Sequence, residues 1–256
     1  MSRLRRFLPS ALAFFAVLVV WEAVVTVFRI ERFLLPQPSV IGRTFLAELT
    51  VVWPAGWFTM KEALGGFAIG SGLAIVAALA TARWAVVRDG VLPFAVVANS
   101  TPIIALAPIT NQWFGITNPL SKMTVVAVIV FFPVMVNMVR GLTQVEAGAL
   151  ELMRSYGSGE RAVLRRVRFP NALPYLFSAF KVAAALSVIG AIVAEYFGGS
   201  RQALGVYISQ QAALFHFAEA WAAIVVASIM GIAFYLVILA VERLVMPWHV
   251  SLRAAE

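Results

Sequence analysis

From Ala63 to Ala82 the chain runs without a charged side chain, and that length constrains the fold more than any motif does. About 20 apolar residues let an α-helix cross roughly 30 Å of hydrocarbon, where only helices or closed barrels satisfy every backbone N–H and C=O. The run is not alone. Residues 7–28 are broken only by Glu22, 123–139 and 220–241 carry no charge, and 175–196 hold Lys181 near the start and Glu195 near the end. Between Val91 and Ser121 lies an uncharged stretch too long for one crossing, punctuated by Pro93, Pro102, Pro108 and Pro119. Those prolines predict a kinked helix over about 91–109, followed by a polar turn through Asn111, Gln112 and Asn118. The expectation is an all-α integral membrane protein in a single domain, 1–256, with six transmembrane helices near 7–28, 63–82, 91–109, 123–139, 175–196 and 220–241.

Composition supports that class. The chain is 62% hydrophobic and 12% charged, against about 45–50% apolar in soluble domains, and its mean hydropathy is +0.91. The net charge of +8 is read as an orientation signal and not as a nucleic-acid footprint. With the N-terminus inside, fourteen of the 20 Lys and Arg fall on the cytoplasmic side of the predicted helices, so both termini are expected to be cytoplasmic. The basic start followed by an apolar stretch also fits a signal peptide, but no small-x-small site follows at a suitable distance, which favours an uncleaved first helix. Between the spans, 29–60 reads as an external amphipathic ledge around Val40 to Val52, and 198–219, with Gly198, Gly199 and Gly205, as a second one.

Several kinds of chemistry are missing. There is no Gly-x-x-x-x-Gly-Lys-Ser/Thr phosphate loop and no Gly-x-Ser-x-Gly elbow. The only histidines, His216 and His249, fall on opposite predicted sides of the membrane, and cysteine is absent, so no metal site is expected. An intramembrane enzyme would need catalytic groups gathered at one depth, and here the polar residues are scattered.

The remaining charge is concentrated. Six of the 20 basic residues lie between Arg140 and Arg168, five of them in a loop over 144–174 that must face water or a wet partner. Val145, Ala149, Leu152, Met153 and Tyr156 recur at helical spacing while Glu146, Glu151 and Arg154 project elsewhere. Gly157-Ser-Gly159 should stop that helix, because glycine accepts the positive φ of a helix C-terminus. A second short helix is expected over about 160–167, ended by Pro170 and Pro174. The product is a rigid knob outside the membrane.

At these residues the chain resembles the permease subunits of bacterial ABC importers. Their EAA signature runs Glu, two small residues, three variable residues and Gly, then nine residues, a β-branched residue, one more, Leu and Pro. Here it reads Glu151, Leu152, Met153, Gly157, Val167, Phe169 and Pro170, with the spacing kept and Leu152, Met153 and Phe169 departing from the pattern. Leu34-Leu-Pro-Gln-Pro-Ser39, Gly66-Phe-Ala-Ile-Gly70, Thr101-Pro-Ile-Ile-Ala-Leu-Ala-Pro108, Trp113-Phe-Gly115 and Ala194-Glu195 extend the likeness to the nitrate, sulfonate and taurine branch. The resemblance implies a type I ABC importer permease fold in a bacterial inner membrane. It implies a homodimer of permeases, two ATP-binding subunits carrying ATP and Mg, and an external substrate-binding protein. It makes the loop a coupling helix, with Glu151 the charged contact, Gly157 the turn, and Arg154 to Arg161 the exposed face. The texture around Asn99 to Gly115 and Ala179 to Ala183 looks like relatives handling flat heterocycles, such as pyrimidine vitamin precursors or riboflavin. A sulfonate, taurine or nitrate cargo is the alternative, and an ATP-independent channel the alternative to the class.

The other polar positions read two ways. Asn99, Ser100 and Thr101 beside Pro102, with Asn137 and Ser178, are candidates for a polar pathway wall or for hydrogen bonds between helices. Glu22 and Glu195 are interfacial or paired. Gly66 and Gly70 fit tight helix packing, and Arg165, Arg166 and Arg168 fit a basic face toward anionic lipid as well as a docking surface.

Overall fold

The computed structural model describes residues 3–31, 33–84 and 105–247, and within them every regular element is a helix. In chain order these are α1 (Arg3–Val27), α2 (Pro38–Ala47), α3 (Leu49–Arg83), α4 (Leu106–Phe114), α5 (Pro119–Thr143), α6 (Ala147–Ser155), α7 (Glu160–Val163), a π-helical turn (Leu164–Arg168), α8 (Phe169–Tyr196), α9 (Leu204–Ala213) and α10 (Phe217–Val245). Four stretches, Leu49–Ala82, Pro119–Thr143, Glu160–Tyr196 and Phe217–Val245, are long and apolar enough to cross a membrane, and Ala11–Val27 is a shorter apolar helix.

The middle of the bundle is α5, held between α3 and α8. Val126, Val130, Val134, Met135, Met138 and Leu142 of α5 are fully enclosed. The contact with α3 is close because Gly66 and Gly70 have no side chains: a Cβ on Gly66 would come 2.4 Å from Val126 Cβ, and one on Gly70 2.4 Å from the Ala127 carbonyl oxygen. The Gly-x-x-x-Gly pair is thus a helix-packing device. Phe67, between them, meets Phe180 of α8 and Phe234 of α10 edge-on at centroid distances of 5.3 and 5.0 Å, a geometry worth about 0.5–1.5 kcal/mol per pair beyond area burial. α10 covers α8 and α2, and α1 rests on α2 and sets Trp21 edge-on against Trp221 at a centroid distance of 5.1 Å. The outward apolar faces of α1 and α10, including Leu12, Phe15, Val19, Ile232 and Leu236, suit lipid.

Three expectations are corrected. The run 63–82 is only the later part of α3, whose 35 residues reach about 52 Å at 1.5 Å per residue, well beyond roughly 30 Å of hydrocarbon. The ledge expected over 29–60 therefore shrinks to α2, because helix geometry carries on through Leu49 to Met60 once the chain leaves the apolar layer. Most of the span expected over 91–109 lies outside the described residues, but its end is not at Ile109: α4 begins at Leu106 and runs through Asn111 and Gln112, and the turn comes at Gly115, φ 96°. Lastly, Pro170 and Pro174 do not end a short helix. Pro170 sits in the first turn of α8, directly after the π-helical turn, so its missing N–H falls where the hydrogen-bond ladder is already changing register, and Pro174 lies inside α8.

Candidate functional site

The charged island forms a projection at one end of the bundle, referred to below as the knob end. α6 has no buried residue. It stops in a complete Schellman motif: the Gly157 N–H donates to the Arg154 carbonyl at 2.9 Å and the Ser158 N–H to the Met153 carbonyl at 3.0 Å, with Gly157 at φ 64°. Both bonds need the left-handed residue that glycine supplies without steric cost. Glu151, Leu152, Arg154, Gly157 and Arg161 are all exposed, Met153 is half-buried, and Pro170 is half-buried at the base. Arg165 and Arg166 are exposed as well. Leu152 is 56% and Tyr156 76% exposed. Large apolar side chains held on a rigid, otherwise charged projection are the pattern of a docking surface.

A neck fastens this knob to the membrane helices. Asn171, in the first turn of α8, donates through Nδ2 to the Gly141 carbonyl at 2.8 Å and the Gln144 carbonyl at 3.0 Å. These belong to the end of α5, where carbonyls lack intrahelical donors. Gly141 lets the helices approach, since a Cβ there would lie 2.6 Å from Ala172 Cα. Asn171→Ala removes both bonds at a cost of about 1–3 kcal/mol. Faster amide exchange is expected in the last turn of α5 and the first of α6, with α3 and α10 unchanged; uniform exchange across the chain would rule out a local anchor. Farther into the bundle, Lys181 of α8 pairs with Glu242 of α10 at 2.8 Å.

The opposite, far end carries a polar joint that the sequence did not announce. Lys122 of α5 donates to Asn111 Oδ1 and Ser121 Oγ, both at 2.9 Å, and to the Ile116 carbonyl. Asn111, in turn, donates to the Phe197 carbonyl at 3.1 Å. Glu195 accepts from the Thr59 hydroxyl at 2.7 Å and from the Gly205 N–H at 2.6 Å, while Thr59 Oγ1 accepts from the Leu204 N–H at 2.9 Å. Two of the N–H groups that open α9 are thereby satisfied by side chains from α3 and α8. Glu195 was expected to be interfacial or paired, and it is paired. So is Glu22, whose carboxylate accepts from the Ser39 N–H at 3.0 Å and the Ser39 hydroxyl at 2.7 Å at the start of α2. Glu62 and Lys122 were missed as site residues; a charge bordering an uncharged run was the available signal. On α9, burial pushes the Tyr207 phenol up to about 12, helped by the Glu48 and Glu219 carboxylates, so it stays a neutral donor.

Of the pathway candidates, Asn99, Ser100 and Thr101 lie outside the described residues. Asn137 is half-buried and donates to the Pro133 carbonyl of its own helix at 2.8 Å. Ser178 is exposed on α8. The structure does not bring Asn137 and Ser178 into one hydrogen-bonded group with each other or with the far-end joint.

Four helices of membrane length and apolarity, with a rigid, exposed knob at one end, define the class as an integral membrane protein. The chain belongs to the binding-protein-dependent transport system inner membrane component family, which it matches over residues 70–249. It is an ABC importer permease. It is 30% identical over 236 residues to the riboflavin transport system permease protein RibX of Chloroflexus aurantiacus, covering 91% of this chain and 87% of that one. It is also 29% identical over 250 residues to the formylaminopyrimidine transport permease protein ThiX of Halalkalibacterium halodurans, covering 97% and 99% respectively. The taurine transport system permease protein TauC of Escherichia coli is 25% identical over 242 residues, covering 91% and 86%. The fold matches a crystallised amino acid ABC transporter chain with a TM-score of 0.61 at 18% identity, over 77% of this chain and 95% of that one. The all-helical type I importer permease fold is thereby established.

Proposed function

We propose that two copies of this chain pair around a translocation pathway, and that the knob over Ala147–Gly157 is the part gripped by an ATP-binding subunit. The observation that carries this reading is the knob itself: exposed Leu152, Tyr156, Glu151 and Arg154 on an unburied helix locked by the Gly157 motif. Each permease would meet one ATP-binding subunit, where ATP and Mg are held. Closure of that pair would pull on α5 and α8 through the neck at Gly141 and Asn171. The excess of Lys and Arg on the knob side supports a bacterial inner membrane orientation with both termini cytoplasmic. In that orientation α2 and α9 are the outer ledges on which a loaded substrate-binding protein docks. Asn99, Ser100, Thr101, Asn137 and Ser178 are the pathway residues this reading proposes.

The cargo in this reading is a small flat heterocycle, such as riboflavin or a pyrimidine vitamin precursor, supported by the relatives named for riboflavin and formylaminopyrimidine. A sulfonate is the second reading, supported by the taurine relative and by the aliphatic sulfonates relatives of Bacillus subtilis and Escherichia coli. The permease, reconstituted in liposomes with its ATP-binding subunit and the binding protein encoded alongside it, should accumulate labelled riboflavin or formylaminopyrimidine only with ATP. Accumulation of taurine instead selects the second reading, and uptake without ATP overturns both.

A further inference from the structure

Three arginines, Arg165, Arg166 and Arg168, fall within the π-helical turn between α7 and α8. We propose that Arg140, Arg165 and Arg166 bind the phosphate of an anionic phospholipid in the leaflet on the knob side, so that this lipid tethers the start of α8 beside the knob.

Charge accounting leads there. From Glu160 to Arg168 four arginines stand against one acid, Glu160. Arg140, Arg161, Arg165 and Arg166 are all exposed, and among the described residues none of them makes an ion pair or a side-chain hydrogen bond. Arg161 and Arg165 stand four residues apart in the continuous helical stretch Glu160–Tyr196, where like charges repel. The π-helical turn packs on α5, whose last turn carries Arg140, so a further positive charge is brought to the same corner. An anion removes that repulsion. A guanidinium also presents a planar fork that takes a phosphate through two N–H groups. A π-helical turn is itself a departure frequently met at functional sites.

Depth selects a lipid over a soluble anion. Lys122 and Arg140 bound the charge-free run of α5, and they stand about 27 Å apart at 1.5 Å per residue, close to the roughly 30 Å of a hydrocarbon core. Arg140 thus marks the knob-side edge of the apolar layer. The first turn of α8 lies at the same level, because Asn171 bonds to the Gly141 carbonyl and a Cβ on Gly141 would run into Ala172. Counting back from Ala172 along the helix, Arg166 and Arg165 lie about 9 and 10 Å beyond that edge. Headgroups fill roughly 5–8 Å on each side of the core, and arginine stems carry the charge back toward them. At that depth the anions within reach are lipid phosphates. The inference needs only that α5 and α8 cross the membrane; it is independent of the cargo and of which subunit grips the knob over Ala147–Gly157.

The test uses the permease carrying its ATP-binding subunit in phosphatidylcholine vesicles that hold traces of spin-labelled lipid. Labelled phosphatidylglycerol should show a larger motionally restricted fraction than labelled phosphatidylcholine, and added salt should erode the difference. The double variant Arg165→Gln, Arg166→Gln should lose most of that preference while it keeps its ATP-binding subunit. Arg201→Gln, which removes an exposed arginine at the far end, should keep the preference. Inorganic phosphate at matched ionic strength should not displace the labelled lipid. No preference in the wild type, a preference that survives the double variant, equal loss in Arg201→Gln, or displacement by inorganic phosphate each overturns the proposal. Survival of the preference with loss of the ATP-binding subunit assigns the arginines to that partner instead. Should the double variant fail to accumulate, the single variants decide: a weakened preference in either supports the site, and an undiminished one in both sinks it.

Discussion

Replacing Gly157 by Val is expected to abolish ATP-driven uptake while the protein stays folded in the membrane. The residue sits at φ 64°, where a residue with a Cβ costs roughly 1–2 kcal/mol, and a β-branched one is a true outlier. Relief comes only by giving up the left-handed turn, and with it the two bonds from Gly157 and Ser158 that end α6. α7 would then leave α6 in a different direction, and the knob would lose its shape. The bundle has no stake in that shape, since no residue of α6 or α7 is buried and a side chain at Gly157 meets nothing within 4 Å. Loss of uptake with normal membrane levels therefore separates docking from folding. Glu151→Ala, which removes an exposed charge from the same helix, should have the same consequence. Gly159→Ala is the control, because Gly159 has φ −69° and open space around it. Normal uptake in both Gly157→Val and Glu151→Ala would mean that force enters the permease elsewhere.

The second large effect is on stability. Lys122→Met should destabilise the folded permease by about 3–5 kcal/mol, the usual consequence of removing one partner from a buried ionic group. The ammonium cannot be replaced by solvent, because Lys122 is 1% exposed. Its loss strips donors from Asn111 Oδ1, Ser121 Oγ and the Ile116 carbonyl and leaves the Glu195 carboxylate without its nearby cation. In a chain of this size a loss of that magnitude lowers Tm by on the order of 10 °C. Thermal unfolding in nanodiscs reads it directly. An unchanged Tm would show that the far-end joint contributes nothing to the fold. Lys181→Met, acting on a pair in which the lysine side chain is 22% and the glutamate 10% exposed, should cost less, because water reaches the ion left behind.

Much of this molecule could be read from the chain before any coordinates. Charge-free runs announced apolar helices because lipid leaves the backbone no other way to satisfy its N–H and C=O groups. Six basic residues between Arg140 and Arg168 announced a wet projection for the complementary reason, that arginine in hydrocarbon is costly. Within it, Gly157 named the turn, since a helix stop beside a glycine is a local event set by one residue's φ. The island's second half was misread because proline was treated as a terminator. Whether a proline ends a helix depends on the hydrogen bonds around it, and the π-helical turn over Leu164–Arg168 changes those bonds just before Pro170. The start of α3 was misplaced for a related reason: apolarity marks where a helix lies in lipid, and α3 continues past that layer.

The far-end joint was legible only in fragments. Glu195 stood out as a charge at the end of an apolar run, but neither Glu62, which borders the run beginning at Ala63, nor Thr59 was singled out. What joins them is 136 residues of chain between Thr59 and Glu195 folded back to a 2.7 Å contact, a coincidence that no local spacing encodes. The sequence by itself determined the class, the membrane-length helices and the position of the knob, because each follows from the cost of exposing charge or bare backbone to lipid. The tertiary structure alone decided which buried charges meet, since that depends on how close glycines such as Gly66 and Gly70 let the helices come and on which faces they then turn to one another.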